Sequence, residues 1–530
     1  MCWAFAGAER RCLQLWRGGR ARLLLAIACG ALVQLLVTWG IARLPTLQSS
    51  SPADRGTTSR PQIVDREPTL EYEQRRRNLK NGIYEFWYYM ETELRKLQSL
   101  QGKDKTRATK GVKIEYILES VEERMLSLLA DFTSMQTFDG YEKWREAEAA
   151  ELGDLVQRRI IFLQNPPRCA KARKLVCHFA RSASFEEELH HVVYCFIVAY
   201  ATQRTLILKP REPDLGKEAW QEFLQPLSKK CLDANGVSHS EWPGKEETQV
   251  LYLPKRSFLY PAPPYLPPRV PADLAARLAR LHGNPLAWWV GQFLKYALRP
   301  RPRTVERLQQ SARQVGFEAP VVGVYISASA KPNQYEYVIA MYMEEVEKYF
   351  DSLALSNEDI QRRIFLVADD QILINRTTLI YHHYEVLQNP VNRFGSVDST
   401  IIDIHFLSRC DYVVCAFSSH LCRAAYEIMQ TLHPDAADRF HSVDDVYFYK
   451  GMHSQHQEVI YPHYSKSEEE LDLRVGDQIK VTRNYWNGSS KGKLLRLSKT
   501  GLFPSFKVKV NIEAVDFPTY QQVPLKNLTS

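Results

Sequence analysis

The sequence predicts an α/β protein whose body is built on parallel sheet, preceded by a transmembrane helix and a helical stem region and followed by a small β-domain. Three observations carry that expectation. Buried-strand runs at 320–326, 364–368 and 411–416 alternate with segments of helical period; the run 23–42 is long, apolar and uncharged; past Glu458 the chain turns to short strands between turn residues.

Composition sets the outer limits. At 530 residues the chain exceeds one ordinary core. Hydrophobic residues at 45% and charged residues at 25% are values of a globular chain, which excludes wholesale disorder and a multi-span transporter. A net charge of +8 over 69 basic and 61 acidic residues suits an anionic ligand without requiring nucleic acid. No zinc-spaced Cys/His cluster and no RNA-recognition signature is present, so nucleic acid is not an expected partner.

Leu23–Ala42 reads LLLAIACGALVQLLVTWGIA, about one bilayer in length. Arg10, Arg11, Arg17, Arg20 and Arg22 precede it against a lone Glu9, so the positive-inside bias puts the N-terminus in the cytosol. The run is longer than the apolar region of a cleaved signal peptide, so we read 1–22 as a cytoplasmic tail and 23–42 as a signal anchor. The Ser, Thr, Pro and Arg-rich stretch 43–66 is a flexible stem. Everything beyond it then faces an oxidising lumen, where the sequons Asn375-Arg-Thr, Asn487-Gly-Ser and Asn527-Leu-Thr become usable.

Residues 67–164 are expected to be a helical, coiled-coil-like region with helices at 70–100, 114–135 and 141–163, the last stopped by Asn165-Pro166-Pro167. Their apolar stripes, including Ile83, Phe86, Trp87 and Met90, either dock on the body or pair with a second chain. An open α/β subdomain follows at 165–317, in which 190–208 passes from buried helix to strand. The alternation at 318–458 predicts a Rossmann-like subdomain, whose ligands sit at the carboxyl ends of the strands, beside Asp369, Asp370, Ser418 and Ser419. At 459–530 the pattern E-L-x-L-x-x-G-D-x-I-x-V from Glu470 to Val481, then Trp486 and Gly501-Leu-Phe-Pro-Ser505, resembles an SH3 barrel. Its Tyr461, Tyr464, Tyr485 and Trp486 suit either a peptide or a sugar.

Several long strings resemble one family: LVQRRIIFLQNP at 155–166, LHHVVYCF at 189–196, AWWVGQFLKY at 287–296, IIDIHFLS at 401–408 and AYEIMQTLHPDA at 425–436. They are similar to the α1,6-fucosyltransferases, glycosyltransferase family 23. The resemblance implies a Golgi type II protein that takes GDP-fucose as donor, requires no metal, and fucosylates the innermost N-acetylglucosamine of N-glycans. It also implies disulfides Cys169–Cys231, Cys177–Cys195 and Cys415–Cys422, with Cys410 left free; spacing alone leaves the pairing open.

Fucosyl transfer with inversion needs a clamp on the departing diphosphate, a positioned acceptor hydroxyl and a base. The family clamp H-V-R-R-T-D-K is Tyr325-Ile-Ser-Ala-Ser-Ala-Lys331 here, so only Lys331 remains as the candidate catalytic cation. Tyr335 stands where the family has a glutamate proposed as base, with Glu336 one residue on. The resemblance implies Asp403 as the reader of the guanine edge, Ser418 and Ser419 as phosphate contacts, and Asp369, Asp370, Asp444 and Asp445 on the acceptor side. Asn392 and Arg393 stand in register, His420 replaces a glutamine, and Glu186, Glu187 and Glu188 bring negative charge where the family has a glycine-rich, disulfide-bridged loop. Losing clamp arginines costs on the order of 10³-fold in rate. Two functions are therefore expected: a fucosyltransferase with a weakened donor clamp, or a catalytically inactive relative. The second would bind N-glycans, a partner enzyme or a protein at the SH3-like groove; separately, the helical region permits a homodimer, or a heterodimer in which this chain is the silent half beside an active relative.

Overall fold

The computed structural model describes residues 67–101, 114–179, 184–209, 220–254, 259, 263–327, 332–355, 359–391, 395–449 and 455–523. The predicted tail, anchor and stem therefore lie outside the described residues, as do Lys331, Asn392, Arg393 and Asn527. Among the described residues no helix is long and apolar enough to cross a membrane.

Helices α1 (Leu70–Gln101) and α2 (Ile114–Phe138) form a hairpin sealed by Trp87 and Tyr88 against Met125, Leu126 and Leu129. Helix α3 (Glu142–Gln164) does something else. Its Leu152, Leu155, Val156 and Ile160 are fully buried in the main core of the body. The expected boundary at 164 is thus not a domain boundary, and residues 65–530 form one compact unit. The reason is that the main core covers the apolar residues of α3.

The first half of the body carries β1 (Lys174–His178), α4 (Phe185–Ala201), β2 (Thr205–Lys209), β3 (His239–Glu241) and β4 (Val250–Tyr252). Its four strands run parallel in the order β2-β1-β4-β3. After β5 (Val270–Pro271) come α5 (Ala272–Leu281), α6 (Pro285–Ala297) and α7 (Pro302–Val315). Local chemistry sets their ends: Asn284 caps α6 with Pro285 in its first turn, and Gly316 closes α7 at φ 68°.

The second half holds β6 (Val321–Ile326), α8 (Tyr335–Ala354), β7 (Arg363–Ala368), α9 (Gln371–Ile380), β8 (Glu385–Leu387), α10 (Val397–Leu407), β9 (Tyr412–Cys415), α11 (His420–Met429) and β10 (Phe440–Ser442). All five strands are parallel, in the order β10-β9-β6-β7-β8. Strand β6 is buried at every position, as a continuous apolar run in a sheet covered on both faces requires. The halves meet where α6 crosses α11: a Cβ on Gly291 would lie 2.0 Å from the Glu427 carbonyl oxygen, so only glycine permits that approach.

The C-terminal part is an antiparallel sheet of β11 (Gln455–Val459), β12 (Gln478–Asn484), β13 (Ser489–Leu494), β14 (Lys499–Pro504) and β15 (Val508–Val510), ordered β14-β13-β12-β11-β15. Two expected bounds shift. The sheet begins at Gln455 rather than 459, because β11 pairs with β12 and β15. After Asn511, whose N–H still donates to His456 of β11, the chain turns to the body: β16 (Ala514–Val515) pairs with β5, and Phe517 and Tyr520 enter the main core. Their rings pack on Trp289 and Tyr200 at 5.5 and 4.8 Å, burial that a solvated tail would forgo.

Candidate functional site

In the second parallel sheet the chain builds outward from β6 through β7 to β8, then returns to the other side of β6 to lay down β9 and β10. The strand order therefore reverses between β6 and β9, and the crevice beyond their carboxyl ends is where such sheets bind ligands. Ser327 follows β6 there and residues 416–419 follow β9.

The crevice gathers most of the expected site residues. The hydroxyls of Tyr325 and Ser327 both donate to Asp369, the latter at 3.0 Å. Burial, then the Asp369 charge, raises the Tyr325 phenol well above its ordinary range, so it stays a donor. Asp370 caps α9, accepting from the Ile372 N–H at 2.9 Å and from the Tyr335 hydroxyl at 3.3 Å. Ser419 caps α11, accepting from the Cys422 N–H at 3.4 Å. Asp444 accepts from the N–H groups of Phe417 at 2.8 Å and Ser418 at 3.1 Å, and from the Ser442 hydroxyl at 2.9 Å. Asp445 follows it, its own N–H donating to the Asp444 carboxylate. Asp370, Ser419 and Asp444 thus each do structural work at the crevice rim, whatever ligand they meet.

Asp403 is of a different kind. It projects from α10, nearly buried, and accepts from the Asn389 amide at 2.8 Å and the Ser399 hydroxyl at 3.5 Å. Burial, opposed by those two bonds and reinforced by Glu186, pushes its pKa up to about 7. Glu186 arrives from the first turn of α4 and accepts from the Thr400 hydroxyl at 3.0 Å. Asn389 and Thr400 escaped the sequence reading because each acts through a tertiary contact, whereas Ser399 lies one helical turn before Asp403 on the same helix.

Beneath the crevice lies a second group that the sequence did not single out. The Arg423 guanidinium donates to the carbonyls of Phe417 and Ser418, at 2.5 and 3.4 Å, and to Nδ1 of His420 at 2.8 Å. That fixes both the 417–418 turn and the His420 ring. Glu427 accepts from the Tyr447 hydroxyl at 2.7 Å and bonds His190 Nε2 at 3.1 Å, tying α11 to α4 across the two halves. The i,i+3 and i,i+4 spacing of His420, Arg423 and Glu427 is the one signal that pointed to this cluster.

Cys169–Cys231, Cys177–Cys195 and Cys415–Cys422 are disulfide-bonded and Cys410 is free and buried, as the resemblance implied. On the C-terminal sheet, Tyr464 is 82% exposed, whereas Trp486 packs against Tyr88 of α1 and His441 of β10, with ring centroids 5.4 and 4.5 Å apart.

A sequence profile of alpha-(1,6)-fucosyltransferase N- and catalytic domains matches residues 46–448. The Drosophila melanogaster alpha-(1,6)-fucosyltransferase is 46% identical over 466 residues, covering 86% of this chain and 75% of that one. The Caenorhabditis elegans alpha-(1,6)-fucosyltransferase is 33% identical over 408 residues, 73% of each. Among solved structures, NodZ alpha-1,6-fucosyltransferase soaked with GDP-fucose aligns over 49% of this chain and 93% of its own at 13% identity and a TM-score of 0.34, too remote to bear weight. On the profile and the two sequence relatives, the chain belongs to the α1,6-fucosyltransferase family.

Proposed function

We propose that this chain transfers fucose from GDP-fucose to the innermost N-acetylglucosamine of N-glycans, with its body in the Golgi lumen behind a type II anchor. The observation that carries the reading is Asp403, a nearly buried carboxylate beside the switch point whose oxygens are held by one amide and one hydroxyl. Ionised, it accepts from the N–H groups of a guanine edge. The diphosphate then meets the N-terminus of α11, where Ser419 and the 417–418 turn are braced by Arg423. In the transfer, the bond from fucose C1 to the phosphate oxygen breaks as the acceptor oxygen bonds C1 from the opposite face. GDP leaves, and the hydroxyl proton passes to a carboxylate, for which Asp369 is our assignment.

One observation favours a second reading, a non-catalytic glycan-binding relative. Ser327, where the family has an arginine, is committed to Asp369 rather than offering a cation to phosphate. We read the C-terminal antiparallel sheet as SH3-like. With Trp486 packed on α1, Tyr461, Tyr464 and Phe506 are what it would offer a partner. Exposed Phe86, Tyr89, Leu128 and Met135 on α1 and α2 support pairing with a second chain, homodimer or heterodimer.

Calorimetric titration of GDP and GDP-fucose into residues 65–530 tests the donor site. Saturable binding that Asp403→Ala removes supports transfer, and an assay on N-glycans follows. No heat at millimolar nucleotide leaves the non-catalytic reading.

A further inference from the structure

Two of the three sequons fall on described residues, and the fold treats them differently. Asn375 lies on the exposed face of α9, its Oδ1 accepting from the Gln371 amide one turn earlier at 3.0 Å. Ile372 and Leu379, three residues before and four after, share that face and are 51% and 77% exposed. Asn487 sits instead in the turn between β12 and β13, its Oδ1 accepting from the Ser489 N–H at 3.0 Å. Both of its neighbours press on α1. Trp486 packs on Tyr88, and a Cβ on Gly488 would fall 2.9 Å from the Tyr89 Cβ. A branched oligosaccharide on Asn487 would have to share the seam that α1 closes.

We propose that Asn375 carries an N-linked oligosaccharide, which covers the apolar strip of Ile372 and Leu379, and that Asn487 does not. The inference rests on the lumenal reading, which the three disulfides support, since N-glycan transfer and disulfide formation share a compartment. The co-reactant is a lipid-linked oligosaccharide diphosphate. The Asn375 amide nitrogen bonds C1 of the first sugar, the bond from C1 to the diphosphate breaks, and the amide gives up one proton. The timing is fixed by Thr377, the hydroxyl the sequon supplies. It is fully buried in the fold and donates to the Leu373 carbonyl at 2.8 Å, so transfer precedes closure of α9.

The test uses the full chain made in a secretory cell line. Peptide N-glycosidase in heavy-oxygen water converts an occupied asparagine to labelled aspartate, read by mass spectrometry. Gel mobility of Asn375→Gln and Asn487→Gln repeats the assay on the intact protein, and protease protection in sealed microsomes reports topology separately. Thr377→Ala is avoided because it removes a buried bond, whereas Asn375→Gln keeps a surface amide. Label at 375 but not 487, with a mobility step lost only in Asn375→Gln, supports the inference. Unlabelled Asn375 or labelled Asn487 in a protected chain overturns it and leaves the lumenal reading standing. Digestion of the body from the cytosolic side overturns both.

Discussion

Two groups of carboxylates in this molecule have opposite company. Where α1 meets the body, Glu73, Asp435 and Asp438 each face a guanidinium or an ammonium. Glu73 accepts from Arg76 at 2.9 Å and Arg145 at 2.7 Å, Asp435 accepts from Arg76 at 2.7 Å and Arg77 at 3.2 Å, and Asp438 accepts from Lys80. Beyond β6 and β9, Asp370 and Asp444 accept from hydroxyls and backbone N–H groups, and Asp403 on α10 accepts from one amide and one hydroxyl. The difference shows in the protonation of the buried members. The Arg77 and Arg76 charges outweigh burial and hold Asp435 well below the carboxylate range, while burial raises Asp403 to about 7. Glu73, Asp435 and Asp438 have matched cations, whereas Asp370, Asp403 and Asp444 accept from neutral donors.

The largest expected effect breaks the junction. Asp435→Ala leaves Arg77 without its close carboxylate and Arg76 with Glu73 alone, which costs about 3–5 kcal/mol, read as a drop in denaturation midpoint. Because its native pKa is depressed, the Asp435 contribution is present above the ordinary carboxylate range and is lost as pH falls below it. Asp403→Ala, by the same comparison, should change GDP binding far more than stability.

A second change returns the family pattern after β6. Ser327→Arg with Ala328→Arg restores the two clamp cations of the family pattern, and transfer to an N-glycan acceptor should rise on the order of 10³-fold. Unchanged transfer with unchanged GDP affinity would mean that the missing arginines do not limit this chain.

Acid sharpens the contrast. Asp403 accepts from a guanine edge only when ionised, so GDP affinity should fall about tenfold per unit of pH below about 7. Glu186→Gln removes the neighbouring charge that helps raise that value, so its decline should begin at lower pH. In Asp403→Asn the decline should vanish, along with most of the binding.

Much of this arrangement was legible in the sequence, for physical reasons that also mark its limits. Parallel strands buried on both faces read as unbroken apolar runs, so β6, β7 and β9 were found within a residue or two of their ends. Asp370 and Ser419 were legible as polar residues at strand ends, and each proves to cap the helix that follows. The return of 511–523 to the body was not, because β16 is two residues long and Phe517 and Tyr520 look like tail aromatics until Tyr200 and Trp289 are beside them. Nor were the partners of Asp403: Asn389 lies 14 residues from it in sequence, at 2.8 Å in space. Lys331 and Arg393, the cations expected at the donor, fall outside the described residues.

The smallest effect decides whether location or partner chemistry governs these acids. Glu85 sits on α1, at the same junction as Asp435, but its neighbours are those of a crevice acid: the Asn484 amide at 3.1 Å and the Ser505 hydroxyl. Burial raises its pKa, the opposite direction from Asp435. Its stability contribution is therefore complete below its ordinary value of 4.5 and declines as pH rises through the elevated native value. Glu85→Gln keeps the shape and the acceptor for Asn484, so below that window its stability should lie within about 0.5 kcal/mol of wild type. Above the window the variant should be the more stable of the two, because it no longer buries a charge held by the neutral Asn484 and Ser505. Denaturant midpoints across that range, with Asp435→Ala measured alongside, should give slopes of opposite sign for the two positions. Parallel slopes would mean that the junction treats all its acids alike and that the contrast with the crevice is one of depth.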